Sequence, residues 1–199
     1  MDYMKEFVEL SQEQANTFIR DSINWEIRNH IRDRIDKTAT VLDVGCGNGN
    51  DAKRYNPDLY RGIDISPPLI NAARKYCPKH TFAVGDASNT SFEDDSFEYV
   101  FCVSVLEHLH SLKDTRDILR EMVRVSSKKV LISWHNPPLD NEPTKILSWV
   151  DKTGRHFGYK KWSNYFNTDE LIAGIVDRDK INVTKYNSKL VLWEIDISV

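Results

Sequence analysis

Between residues 41 and 134 short apolar runs alternate with longer stretches in which apolar residues return every three or four places. Runs at 41–44, 60–65, 81–84, 97–103 and 128–134 have the length and β-branched or aromatic content of strands. Between them, Ser66 as N-cap and Pro67 at the first helical position open a helix to about Cys77, and residues 112–125 put Ile118, Leu119, Met122 and Val123 on one face. The run at 97–103 follows an acidic turn and is apolar on both faces, which predicts a central strand of a parallel sheet. Upstream, Ser11 and Gln14 form a capping box, and Phe18, Ile19, Ile23, Ile27 and Ile31 predict an amphipathic helix lying on the sheet. Periodicity is lost from 135 to 167, a segment rich in rings and broken by Pro137, Pro138, Pro143, Gly154 and Gly158. A helix over 168–176, capped by Thr168, and two strands at 181–186 and 190–197 close the chain. Strand–helix alternation predicts an α/β doubly wound parallel sheet, with its ligand beyond the carboxyl ends of the strands.

The first strand ends in Gly45, Gly47 and Gly49, which allow positive φ and a close approach to the backbone. Asp64 ends the second strand about 20 residues on, where a carboxylate can accept both hydroxyls of a ribose. The phosphate fingerprint G-x-G-x-x-G is not met: the third glycine comes one place early and Asn50 stands where the last would be. The helix that follows is cut short by Pro57, and Asp51 opens it with a charge expected to repel a pyrophosphate. A nucleoside without phosphates fits better.

Asp43-x-Gly45-x-Gly47-x-Gly49 followed by Asp64 resembles the first two motifs of class I S-adenosylmethionine-dependent methyltransferases. Ser104-Val105-Leu106-Glu107-His108-Leu109 resembles the fourth-strand motif of that family's small-molecule branch, the type 11/12, ubiquinone-biosynthesis-like group. The resemblance covers residues 40–134 well and 156–197 loosely. It implies a Rossmann-like, seven-stranded, mostly parallel sheet closed by a C-terminal antiparallel hairpin. It also implies S-adenosylmethionine as cofactor, S-adenosylhomocysteine as product, and a cofactor site of Asp43, Gly45, Cys46, Gly47, Gly49, Asp64, Ile65, Asp86, Ala87 and Val103. In that site Asp86 would accept from the adenine amine while the Ala87 N–H donates to a ring nitrogen; a turn aspartate bonding its own backbone is the plainer alternative.

Methyl transfer from a sulfonium is an in-line displacement that needs a dry pocket, an aligned acceptor and a base where a proton must leave. His135, just past the fifth strand, and His108, after the fourth, rank nearly equal as that base. His156, Tyr159 and Trp162 are expected to contact the acceptor, because the stretch from His156 to Leu171 resembles a family segment that covers it, and Trp134, which adjoins His135, is expected to join them. A histidine taken singly serves packing or hydrogen bonding at least as often. Tyr3, Phe7 or Trp25 could line the site from the N-terminal segment, although packing is the commoner use of such residues.

At 199 residues, 40% hydrophobic and 29% charged, the chain is expected to be one domain, with residues 1–36 a helical cap and 135–167 a substrate-covering insertion. A net charge of −3 leaves no basic footprint for nucleic acid, despite Arg155, Lys160 and Lys161 lying close together. Three scattered cysteines suit a reducing cytoplasm, and no apolar stretch suggests export or a membrane span. Glu107 beside His108 offers two metal ligands without a third, so no metal is expected. The expected activity is methyl transfer to an oxygen, less readily a nitrogen, of a small molecule. Two rivals stand beside it: a non-catalytic cofactor binder, and a nicotinamide-dependent oxidoreductase, which Asn50 and the acidic helix opening disfavour. The oligomeric state is not legible.

Overall fold

The computed structural model describes residues 8–17, 25–106, 109, 111–135, 168–186 and 190–198. Seven strands form one sheet: β1 (Val41–Val44), β2 (Tyr60–Asp64), β3 (Thr81–Val84), β4 (Phe97–Val103), β5 (Ser126–His135), β6 (Ile181–Lys185) and β7 (Leu190–Asp196). Their spatial order is β3-β2-β1-β4-β5-β7-β6. The first five run parallel, and β7 enters antiparallel between β5 and β6. The winding reverses between β1 and β4, so the crevice for a ligand opens beyond the end of β1. This is the doubly wound sheet with an antiparallel closing hairpin that the hydrophobic pattern and the resemblance implied.

Alternation along the strands sorts the core into two layers. Leu42, Val44, Val100, Cys102, Val130, Ile132 and Trp134 face one way, against Ile118, Leu119 and Met122 of helix α4 (Leu112–Arg124) and Leu171 and Ile172 of helix α5 (Thr168–Ile172). Val41, Tyr99, Phe101, Val103 and Leu131 face the other, against Ile27 and Ile31 of α2 (Trp25–Asp33) and Ile70 and Ala73 of α3 (Pro67–Tyr76). Asp43 has the parity of Val41 and therefore points into this second layer.

The caps read from sequence at Ser11 and Ser66 are made. In α1 (Gln12–Thr17) the Ser11 N–H donates to Gln14 Oε1 at 2.8 Å and the Gln14 N–H returns to Ser11 Oγ at 3.1 Å. Ser66 caps α3 through the Leu69 N–H, and Ser111 caps α4 through the Asp114 N–H at 3.0 Å. The helix expected from the Ser11 cap through Ile31 is described as α1 and, from Trp25, as α2, and residues 18–24 lie outside the described residues.

Helix α5 is shorter than the expected 168–176. The chain turns after Ile172, with the Ile175 N–H donating to the Ile172 carbonyl at 2.8 Å, and Arg116 of α4 takes the last helical carbonyls. Its guanidinium donates to Glu170, to Leu171 at 3.0 Å and to Ala173 at 2.6 Å. A side chain from another helix thus satisfies the carbonyls that further helix would have used.

Candidate functional site

Gly45, Gly47 and Gly49 follow β1 directly, with φ of 73°, 55° and 80°. The Gly45 and Cys46 N–H groups both donate to the Ile63 carbonyl, at 2.8 and 3.0 Å, and so pin the loop to the end of β2. The first two glycines have different surroundings. A Cβ built on Gly45 would stand 2.3 Å from a methyl of Val105, whereas one on Gly47 would meet nothing within 4 Å. Gly45 is therefore required by packing, and Gly47 leaves bare backbone facing open space at the carboxyl edge of the sheet.

Asp64 is braced beside that bare backbone. Its Oδ2 accepts from the Gly47 N–H and its Oδ1 from the Ser66 N–H, both at 2.9 Å. A carboxylate offers about four lone-pair positions, so two N–H bonds orient the group and leave acceptor capacity for a diol. Burial pushes its pKa above the usual carboxylate range, while the N–H bonds from Ser66, Gly47 and Ile65 oppose the shift.

β3 ends alongside β2, Asp64 pairing with Val84, and the Gly85 N–H donates to the Asp64 carbonyl at 3.0 Å. Asp86 therefore follows on the same sheet edge. It is exposed, and its Oδ1 accepts from both the N–H and the Oγ of Ser88 at 2.8 Å, the local turn bond weighed as the plainer role. Ala87 and Ile65 are half-buried, and Val103 and Cys46 are buried. Ser104, directly after β4, has a φ of 56°, rare for a residue with a Cβ, and donates its N–H to Ser133 Oγ at 3.1 Å.

Asp43 lies in the core beneath the loop, 2% exposed, accepting from the Tyr60 hydroxyl at 2.7 Å. Burial raises its pKa to about 7, against the Tyr60 bond and the positive charge of Arg28, with Asp64 adding to the rise. A carboxyl raised on folding binds a proton that the unfolded chain has released, so its contribution to stability falls as pH rises from about 4 to 7 and is flat above. Asp43→Asn should remove this slope. In urea titrations the variant should gain on the native chain with rising pH, by up to about 4 kcal/mol at neutrality; parallel pH profiles would refute the assignment.

Asp51 corrects one sequence expectation. It is buried and forms ion pairs with Arg28 and, at 3.5 Å, with Arg54, so its charge is neutralised inside the protein and faces no ligand. What argues against a pyrophosphate is the missing helix: only a single 3-10 turn, Ala52–Arg54, follows the loop, too short to present a line of N–H groups. Arg28, 23 residues earlier in the chain, gave no local signal of this pairing.

The acceptor side is described less fully. His108, Glu107, His156, Tyr159, Trp162, Tyr3 and Phe7 lie outside the described residues. His135 ends β5, paired through its backbone with Leu190. Trp134 is 1% exposed and packs against Trp193 at 5.1 Å between ring centroids, which places it in the core layer and not on an open wall. Its indole N–H has no hydrogen-bond partner among the described residues. Among the described residues no group of three or more His, Cys, Asp or Glu could hold a metal, and no helix is long and apolar enough to cross a membrane.

Residues 41–129 match the family model described as a methyltransferase domain. Over this stretch the chain resembles a methyltransferase domain, and the sheet that carries it has the class I fold. The resemblance seen in the glycine loop and after β4 holds at this level. The chain is 36% identical over 106 residues to ajmaline N-methyltransferase of Rauvolfia serpentina, covering 48% of this chain and 35% of that one. It is 28% identical over 153 residues to the chloroplastic tocopherol O-methyltransferase of Arabidopsis thaliana, covering 68% and 42%. The chain spans between 34% and 51% of the length of such curated relatives. The magnesium protoporphyrin IX methyltransferase of Synechocystis, solved with bound S-adenosylmethionine, superposes with a TM-score of 0.65 at 13% identity, covering 100% of this chain and 98% of that one; at that identity the likeness is one of fold.

Proposed function

We propose that the chain is an S-adenosylmethionine-dependent methyltransferase that moves a methyl group to an oxygen, or less readily a nitrogen, of a small-molecule acceptor. The observation that carries this reading is the pairing of Gly47 with Asp64: bare backbone facing open space, beside a carboxylate oriented by two N–H bonds, at the reversal of the sheet. A ribose laid there would give its diol to Asp64, while Gly45, Cys46 and Gly49 shape the loop and Asp43 supports it from below. Asp86 and Ala87, next along the edge, would take the adenine, with Ile65 and Val103 as apolar walls. Asp86 would then give Ser88 up or share an oxygen with it.

The methyl group would point toward the end of β5, so His135 or His108 serves as base, and His156, Tyr159 and Trp162 of the 135–167 insertion contact the acceptor. Trp134 acts from within the core by supporting that wall. Residues 1–36 form the helical cap of a single domain. The sequence relatives methylate both nitrogen and oxygen according to their names, so the oxygen preference rests on the likeness of residues 104–109 to the quinone-type motif. Cys46, Cys77 and Cys102, buried thiols outside any disulfide, support a reducing cytoplasm as the working compartment.

S-adenosylhomocysteine at about 100 times its dissociation constant should stabilise the protein by about 2.7 kcal/mol and raise its melting temperature, while NADH should not. The reverse pattern would favour the oxidoreductase reading. His135→Ala should lower turnover on a responding acceptor by about 10²–10⁴ with little change in S-adenosylhomocysteine affinity. Equal losses in both would assign His135 to packing.

A further inference from the structure

The second core layer contains a buried charge cluster that the proposed reaction does not use. Arg28, on the inner face of α2 between Ile27 and Ile31, pairs with Asp51 Oδ2, and Arg54 Nη1 lies 3.5 Å from Asp51 Oδ1. Side-chain exposures are 13% for Arg28, 11% for Arg54 and 7% for Asp51, so the cluster is shielded from solvent. Arg54 also donates to the Asn50 carbonyl at 3.2 Å. Asp51 lies two residues past Gly49, and the Ala52 N–H donates to the Gly49 carbonyl at 3.2 Å, so whatever holds Asp51 holds the far end of the glycine loop. Its near end is held separately, through Ile63.

We propose that Arg28 is a positioning residue: α2 reaches through it under the sheet edge to Asp51 and fixes the glycine loop in its cofactor-ready shape. The inference rests on the reading of the loop as a cofactor site and adds that this site is completed from the N-terminal helix. Without Arg28, Asp51 keeps only the longer pair with Arg54, and a buried carboxylate so weakly compensated moves toward that partner or toward water, which shifts the backbone from Gly49 to Ala52. The Gly47 backbone is then no longer held in register beside the Asp64 carboxylate.

A second anchor of the same segment supplies the control. Arg34, just after α2, donates through Nε to Glu194 Oε1 of β7 at 2.6 Å, far along the sheet from the loop. Removing it loosens the docking of α2 and leaves Asp51 paired. Arg28→Met should weaken S-adenosylhomocysteine binding by about tenfold or more, and Arg34→Met by about twofold or less, each measured by calorimetry equally far below its own melting temperature. Asp51→Asn should lose as much as Arg28→Met, the double variant no more than either, and Arg28→Lys should recover part of the loss. Equal losses in Arg28→Met and Arg34→Met, or none in Asp51→Asn, would overturn the proposal.

Amide exchange of residues 45–52 in the ligand-free protein makes the test independent of the cofactor. Arg28→Met and Asp51→Asn should speed it and Arg34→Met should not; unchanged exchange in both of the first two would also overturn the role of Arg28. A native chain that ignores S-adenosylhomocysteine while showing this exchange pattern would refute the methyltransferase reading and leave the positioning role standing.

Discussion

Gly45→Ala should destabilise the protein by about 2–5 kcal/mol, whereas Gly47→Ala, two residues away, should cost only about 1–2 kcal/mol. Both sites have a positive φ, at 73° and 55°, so any side chain there carries the left-handed penalty. Only the first also drives a methyl to 2.3 Å from Val105. Val105 is branched and half-buried against the core, so it can relieve the overlap only by shifting the backbone after β4. Chemical denaturation separates the two variants, and Gly45→Ala combined with Val105→Ala should recover the steric part of the loss. Binding should rank them the other way: the Gly47 methyl stands where the proposed ligand lies and should cost more affinity per unit of stability lost. Equal denaturation midpoints for the two single variants would show that the contact with Val105 yields without resistance.

Asp64→Ala carries the second large effect, on binding. It removes the acceptor of the proposed ribose diol and also the group that holds the Gly47 and Ser66 N–H groups. Hydrogen bonds to a charged acceptor contribute about 1.5–3 kcal/mol each, so S-adenosylhomocysteine affinity should fall by a few kcal/mol, some hundredfold. Asp64→Asn separates the two roles. Its single carbonyl oxygen can still accept from one N–H, and its amide turns a donor toward the other, so the loop should relax and affinity should fall nearly as far. Native affinity in Asp64→Ala, measured by calorimetry, would remove the carboxylate from the site and with it the strongest support for a nucleoside ligand.

The parts of this fold legible in the sequence are those set by neighbours close in the chain. Residues 41–44 and 81–84 read as strands and are strands, because alternation and flanking turns are local signals. Ser11 and Ser66 cap helices through N–H groups three residues on, as their sequence neighbours announced. The apolar run 97–103 revealed its central place because a strand covered on both faces has no polar alternation to show. What sequence could not supply was pairing at a distance. Asp51 looked like a charge facing a ligand because its partner Arg28 lies on another element. The end of α5 was placed too late because Arg116, more than fifty residues earlier, takes its carbonyls. Trp134 read as a wall of the acceptor site because it adjoins His135, yet its pleat parity turns it into the core beside Trp193.

The clamp that Arg116 places on α5 also bears on how this protein could diversify. Residue 135 is held by the ladder to β7, and residue 168 opens a helix locked to α4, so the stretch between them is anchored at two fixed points. Neither point lies in the glycine loop or beside Asp64. On the proposed reading of 135–167 as the acceptor-contacting segment, swapping it between homologues should exchange acceptor preference and leave the donor's grip intact, so that new substrates can be gained by replacing a single cassette.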